Sequence, residues 1–188
     1  LHPFGTDQCG RDVYTRIVFG ARQSLAEGVG AVALGVVLAL CLAVPGGIGG
    51  TLLRNGVERL LEIQFSFPIL IFAVLFSAHL GGGIGPLIVT MGIGMSAGYA
   101  KTILARIVAV RAAPYIEAAH MLGHHPARII IRQVLPNACQ PLLVMVTMGI
   151  GHALAWSSSL SFLGLGVSPP APEWGTMLAM GRDFITRA

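Results

Sequence analysis

GVGAVALGVVLALCLAVPGGIGGTLL, residues 28–53, contains no Asp, Glu, Lys or Arg. A helix needs about 20 apolar residues to cross a bilayer, and this run exceeds that. Two longer uncharged runs follow, 38 residues from Ile63 to Ala100 and 40 from Gln133 to Pro172. Across all 188 residues only 11% are charged and 54% are hydrophobic. A soluble domain carries roughly 25% charged residues. So few charges cannot clothe a soluble fold of this size, and so apolar a chain is not disordered. The class that remains is all-α, a multi-pass transmembrane helical bundle.

Turn signals divide the runs. The first predicts a span over Leu25–Val44, closed by Pro45-Gly46-Gly47. The second would reach about 57 Å as one helix, so it must break. Gly81-Gly82-Gly83-Ile84-Gly85-Pro86 supplies the break, leaving spans over Ile63–Leu80 and Ile84–Ala100. The third predicts a span over Ala138–Trp156. Pro169-Pro170-Ala171-Pro172 then forbids a continuing helix, so Ser157–Pro172 reads as a loop or re-entrant segment. Four spans place both chain ends on one side. The loops Arg54–Glu62 and Lys101–Arg132 share the other and hold seven Lys or Arg (Arg54, Arg59, Lys101, Arg106, Arg111, Arg128 and Arg132), against five at the ends. The positive-inside rule assigns those loops to the cytoplasm.

Before the first span, Tyr14, Ile17, Val18, Ala21 and Leu25 share one helical face opposite Arg11, Asp12, Thr15 and Arg22. That pattern predicts an amphipathic helix on the membrane surface. The expected organisation is an external interfacial segment over 1–24, a transmembrane domain over 25–156 with a cytoplasmic loop over 101–136, and an external loop over 157–188.

The loop carries its own signals. Pro114 suits a first helical turn and Glu117 sits where the helix dipole favours an anion. Gly123 is placed to end that helix with a positive φ. Pro126 starts a second helix, running to Leu135-Pro136. A solvated connector and a DNA-reading helix-turn-helix are the alternatives; the second is disfavoured because membrane spans tether both of its ends. A short helix offering Glu117 and the small residues Ala118, Ala119 and Gly123 to a partner fits the pattern better.

The string EAAHMLGHHPARIIIRQVLP, residues 117–136, resembles the Glu-Ala-Ala loop of bacterial ABC importer permeases. Glu117, Ala118, Ala119, Gly123, Leu135 and Pro136 match that pattern at its spacing; its apolar position falls on Gln133, with Val134 apolar instead. His2–Leu25 and Leu160–Asp183 resemble segments of the dipeptide and oligopeptide permeases, the peptide/nickel branch of the binding-protein-dependent inner-membrane components. The resemblance covers nearly the whole chain. It implies a permease subunit for peptides or related solutes in the bacterial inner membrane. Its implied partners are cytoplasmic ATP-binding subunits docked on the loop, a second homologous permease and an external substrate-binding protein. Members usually have six spans, so the resemblance implies a piece holding spans two to five.

Chemistry of its own is not expected. No GxxxxGK[ST] phosphate loop occurs, so ATP would bind elsewhere. No catalytic residue, cofactor, metal site or nucleic-acid surface is assigned. Cys9, Cys41 and Cys139 form no paired motif. His120, His124 and His125 lack a carboxylate or thiolate at ligand spacing. Ser157, Ser158 and Ser159 show no hydrolase arrangement. His152, inside a predicted span, is a candidate functional group, with a neutral imidazole bonded to a neighbouring helix as the simpler reading; His79 reads as interfacial. Gly28, Gly30 and Gly35, and Gly92, Gly94 and Gly98, read as helix-packing positions. A secondary transporter or channel is the competing function. It calls for intramembrane charges or broken helices, and the predicted spans contain no Asp, Glu, Lys or Arg apart from Glu27 at one edge. A membrane scaffold without transport is a third reading.

Overall fold

The computed structural model describes residues 2–81, 83–167 and 170–182. Among them are eight α-helices and one π-helical turn, and an isolated bridge joins Thr6 and Asp12. The helices are α1 (Val13–Ile48), α2 (Thr51–Ser66), α3 (Ile69–Leu80), α4 (Ile84–Arg111), α5 (Pro114–Met121), α6 (Pro126–Ile129), α7 (Leu135–Phe162) and α8 (Trp174–Gly181). The π turn, Ile130–Val134, joins α6 to α7. Among the described residues three helical stretches are long and apolar enough to cross a membrane: Val13–Ile48, Ile84–Arg111 and Pro126–Phe162.

Helix α1 has 36 residues, about 54 Å of length. Asp12 opens it by accepting the Thr15 backbone N–H at 2.9 Å and the Thr15 hydroxyl. The Thr15 hydroxyl, then its backbone N–H, hold the Asp12 carboxyl below its ordinary range. The amphipathic turns expected to lie apart, before residue 25, are continuous with the expected span. No proline or glycine interrupts Ala21–Glu27, and both Ser24 and Glu27 are buried with hydrogen-bond partners. At its other end α1 runs through Pro45-Gly46-Gly47, which was expected to close it.

The run from Ile63 to Leu80 is not one helix. Proline disfavours helical geometry in the residue before it, and Phe67 is extended, with φ −96° and ψ 123°. The chain breaks at Phe67-Pro68, and α3 has 12 residues, about 18 Å. Arg54–Glu62, expected as a loop, lies in α2. Arg54 pairs with Glu58 and Arg59 with Glu62, at the spacings that bring side chains together on a helix. The break expected within Gly81–Pro86 falls between Leu80, the end of α3, and Ile84, the start of α4; Gly81 has φ +80° and Gly83 +135°. Helix α4 then extends past Ala100 to Arg111. Helix α7 extends past Trp156 to Phe162, and α8 occupies part of the expected external loop. Gly82, Ser168, Pro169 and residues 183–188, Arg187 included, lie outside the described residues.

The chain falls into two compact units. One comprises residues 1–32, 68–92 and 149–188. Its core contains Ala31, Val32, Leu87, Met91, Ala153 and Leu160. Gly28 lies against Ile150 and Leu154, and Gly30 against Ile88. The segment after α7 is strapped to α1 by polar contacts. Arg16 donates to the carbonyls of Pro170 and Ala171 at 3.1 and 3.5 Å. The Trp174 indole donates to the Ile17 carbonyl, and its backbone N–H to Ser24. Glu173, 1% exposed, caps α8 by accepting from the N–H groups of Gly175 and Thr176, each at 2.7 Å, which satisfies two otherwise unpaired donors.

The other unit comprises residues 33–67 and 93–148. Its core contains Leu61, Tyr99, Ile103, Leu104, Ile107 and Val134. The last turn of α1 is wedged between helices: a Cβ on Gly46 would stand 3.1 Å from Val57 of α2, and one on Gly47 would stand 2.5 Å from Ile107 of α4.

Candidate functional site

The Glu-Ala-Ala segment lies wholly in the second unit. Ala113 is extended and Pro114 takes the first helical position of α5, where its missing N–H costs nothing. The helix ends in a Schellman motif. The His124 N–H bonds to the Ala119 carbonyl at 3.2 Å and the Gly123 N–H to the His120 carbonyl at 3.0 Å. Gly123 has φ +75°, the conformation that motif requires. His125 starts α6, its imidazole accepting the Ala127 N–H at 3.3 Å.

The faces of α5 separate the residues read as one small patch. Ile116 and Ala119 are turned inward, 3% and 5% exposed. Glu117, Ala118 and His120 face outward, and Gly123 is exposed in the turn. Ala119 therefore supports the helix from beneath. Among the described residues Glu117 enters no ion pair. The same segment leaves large apolar side chains exposed: Tyr115, Met121, Leu122 and Ile131, the second and third 87% and 76% exposed. Exposed apolar side chains in this number are the composition of a binding surface.

Leu135-Pro136, expected to end the second helix, lies where the π turn becomes α7. A proline inside a helix lacks its N–H and crowds the carbonyl four residues back. A π turn just before Pro136 relaxes that crowding. Leu135 is half-buried, Pro136 exposed and Val134 buried. The inward apolar position is thus Val134, one residue after the position the pattern assigns, and Gln133 keeps a buried side-chain oxygen without a partner.

Other singled-out residues lie elsewhere. His152 is exposed and stacks on Trp156 with ring centroids 6.2 Å apart. His79 is exposed near the end of α3. Ser157 donates to Glu27 at 2.8 Å, and Glu27 is fully buried. In the sequence Arg111 counts only as one of seven basic loop residues; it is the last residue of α4 and donates to the carbonyls of Gly47 and Ile48 at 2.6 and 3.2 Å. A lone arginine at a helix end has no local signature for such a contact, since its acceptors lie more than 60 residues away.

Known proteins resemble this chain in sequence and in fold. The dipeptide transport system permease protein DppC of Alkalihalophilus pseudofirmus is 35% identical over 187 residues, 100% of this chain and 62% of that protein. The di/tripeptide permease DppC of Pseudomonas aeruginosa is 35% identical, covering 98% of this chain and 61% of its own length. The glutathione permease GsiD of Pectobacterium atrosepticum is 33% identical, with 97% and 60% covered. The chain thus spans about three fifths of the length of these curated relatives. Among solved structures, an inward-facing MetNI methionine ABC transporter matches with a TM-score of 0.73 at 20% identity, covering 92% of this chain and 81% of that one. An amino acid ABC transporter matches with a TM-score of 0.66 at 19% identity, covering 93% and 88%. These two likenesses establish the fold, a membrane-embedded helical bundle of the ABC importer permease type. The profile of one family matches residues 25–186, and with it the chain belongs to the binding-protein-dependent transport system inner membrane components.

Proposed function

We propose that this chain is the core of a permease subunit that moves peptides or related small solutes across the bacterial cytoplasmic membrane. ATP is hydrolysed in partner subunits, which dock on residues 114–136. A second, homologous permease completes the pathway, and an external binding protein delivers the solute. The observation that carries this reading is α5 itself. A short helix stopped by a Schellman turn displays Glu117 on a segment that also exposes large apolar side chains, between helices long and apolar enough to cross a membrane. The peptide and glutathione permeases among the relatives supply the solute class.

The assignment gives each matched residue a task. Glu117 offers a carboxylate to a cation in the ATP-binding subunit, and Ala118 beside it allows close approach. Ala119 seats the helix, Gly123 sets its end, and Leu135-Pro136 start the membrane helix that follows. Residues 1–24 and 157–188 belong to the external side, and 101–136 to the cytoplasmic side.

Glu117→Lys and Gly123→Val in the full-length protein test the docking. A like charge at an interface costs several kcal/mol, and a β-branched residue at positive φ about 1–3 kcal/mol. Both variants should insert normally, lose the co-purifying ATP-binding subunit, and lose uptake of radiolabelled dialanine and glutathione into vesicles that the unaltered complex supports. Retention of the subunit and of uptake in both would refute the docking assignment. Topology is tested separately. A cysteine at Gly83 should react with an impermeant reagent from outside the cell, and reaction only from the cytoplasm would invert the orientation.

A further inference from the structure

Helix α1 ends without a basic residue in its own last turn. Its final carbonyls are the negative end of a long helix dipole, and several lack a helical partner. The Gly49 N–H satisfies that of Pro45 at 2.8 Å. Those of Gly47 and Ile48 are taken by Arg111 of α4. The guanidinium thus brings a charge that this helix end lacks in its own last turn, and hydrogen bonds to the carbonyls of Gly47 and Ile48; charge-assisted bonds of this kind are stronger than neutral ones. Beneath it, Gly47 lets the α1 backbone press on Ile107, which is fully buried. The contact is therefore bonded on one side and close-packed on the other.

Arg111 is separated from Pro114, the first residue of α5, by Ala112 and Ala113 alone. That link is not slack. Ala112 bonds back to Val108 at 3.3 Å, Ala113 to Val110 at 3.0 Å, and Ile116 to Ala113 at 2.9 Å. Val110, Ile116 and Ala119 are buried on the inner side.

We propose that Arg111 is a positioning residue that fastens the α5 docking helix to the end of α1, so that a displacement imposed on α5 is delivered to α1. The proposal rests on the docking reading above. Without the fastening, α5 still has its whole outer face to bind with, but its movement is absorbed where α4 meets the link. Arg111 borders an open hollow of about 430 Å³, shared with Thr51, Arg54 and Asn55, so truncating it removes the fastening without opening the apolar core.

The test uses the full-length permease assembled with its partner permease and ATP-binding subunits in nanodiscs. Cys9 and Cys139 are replaced by serine, and spin labels are placed on Cys41 of α1 and on Ala112→Cys. The unaltered protein should show one narrow label distance, both without nucleotide and trapped with ATP and vanadate. Arg111→Ala should keep the ATP-binding subunit and hydrolyse ATP within about twofold of normal. Its distance distribution should at least double in width in the trapped state only, and Arg111→Lys should restore part of the narrowing. A nucleotide-dependent width is what a merely structural role would not produce. Equal widths in Arg111→Ala and the unaltered protein would overturn the proposal. So would loss of the subunit from Arg111→Ala and Arg111→Lys alike, which would make Arg111 a folding residue. Failure of the subunit to bind the unaltered permease is a separate result that removes the docking reading, and the fastening with it.

Discussion

At Pro45, Gly46 and Gly47 the chain stays helical to Ile48, whereas across Gly81 to Pro86 one helix stops at Leu80 and the next begins at Ile84. The two stretches are made of the same residue types. In the turn, Gly81 and Gly83 have positive φ, and a Cβ on Gly81 would meet nothing within 4 Å. Its glycine is required by the backbone alone. In the helix, Gly46 and Gly47 have no unusual φ, but a Cβ on either would run into Val57 or Ile107. Glycine there is required by the neighbours. The lesson is that a glycine-rich run marks either a place where the chain turns or a place where another helix comes close.

The comparison is sharpest at Gly47. Gly47→Val drives a branched side chain into Ile107, which is buried on all sides. Overpacking of this kind costs about 3 kcal/mol, and should appear as the largest loss of stability in thermal unfolding of the full-length protein in detergent. Gly81→Val meets open space and pays only for its backbone, φ +80° with ψ 172°, a region almost confined to glycine. Its cost is about 1–3 kcal/mol, and unlike that of Gly47→Val it should not shrink when side chains nearby are made smaller. Gly46→Ala should cost about 1 kcal/mol alone and much less beside Val57→Ala, because coupled neighbours depart from additivity by about that much. A double-mutant cycle in which the two losses simply add would show that Gly46 is not held by Val57. The smallest effect has the opposite sign. Gly56 lies inside α2 with nothing within 4 Å, so Gly56→Ala should stabilise by about 0.5–1 kcal/mol through helix propensity. No gain would mean that this glycine, too, faces a close neighbour in the assembled protein.

Prolines divide in the same way. Pro68 ends a helix, because Phe67 has turned extended before it. Pro45 and Pro141 lie inside α1 and α7, and Pro136 follows a π turn that takes up the crowding. Composition marks all four identically. What separates them is the backbone on the N-terminal side, extended at Phe67 before Pro68 and helical before Pro45 and Pro141.

Much of the candidate site was legible for a local reason. Pro114 at the start of α5, Gly123 at its end and Pro126 at the start of α6 each act on their own backbone dihedrals, so the residue type carries the outcome. The helical, membrane-embedded class was equally legible, because leaving long uncharged runs in water is prohibitive wherever they pack. The facing of the pieces was not. Ala118 and Ala119 are the same residue side by side, yet one is exposed and the other buried, which only the seat beneath α5 decides. The division of Ile63–Leu80, the helix at Arg54–Glu62 and the burial of Glu27 were also hidden, since each depends on what lies alongside.

By itself, then, the amino-acid sequence determined what acts along the chain: helices in place of strands, a membrane in place of water, and a short capped helix between long apolar ones. Tertiary structure alone decided what acts across it. Arg111 reaches carbonyls 63 and 64 residues away, and Gly47 gives way to an isoleucine 60 positions later. Neither contact leaves a periodic or local trace, because each is fixed by the meeting of two helix surfaces, and that meeting depends on the shapes of both at once.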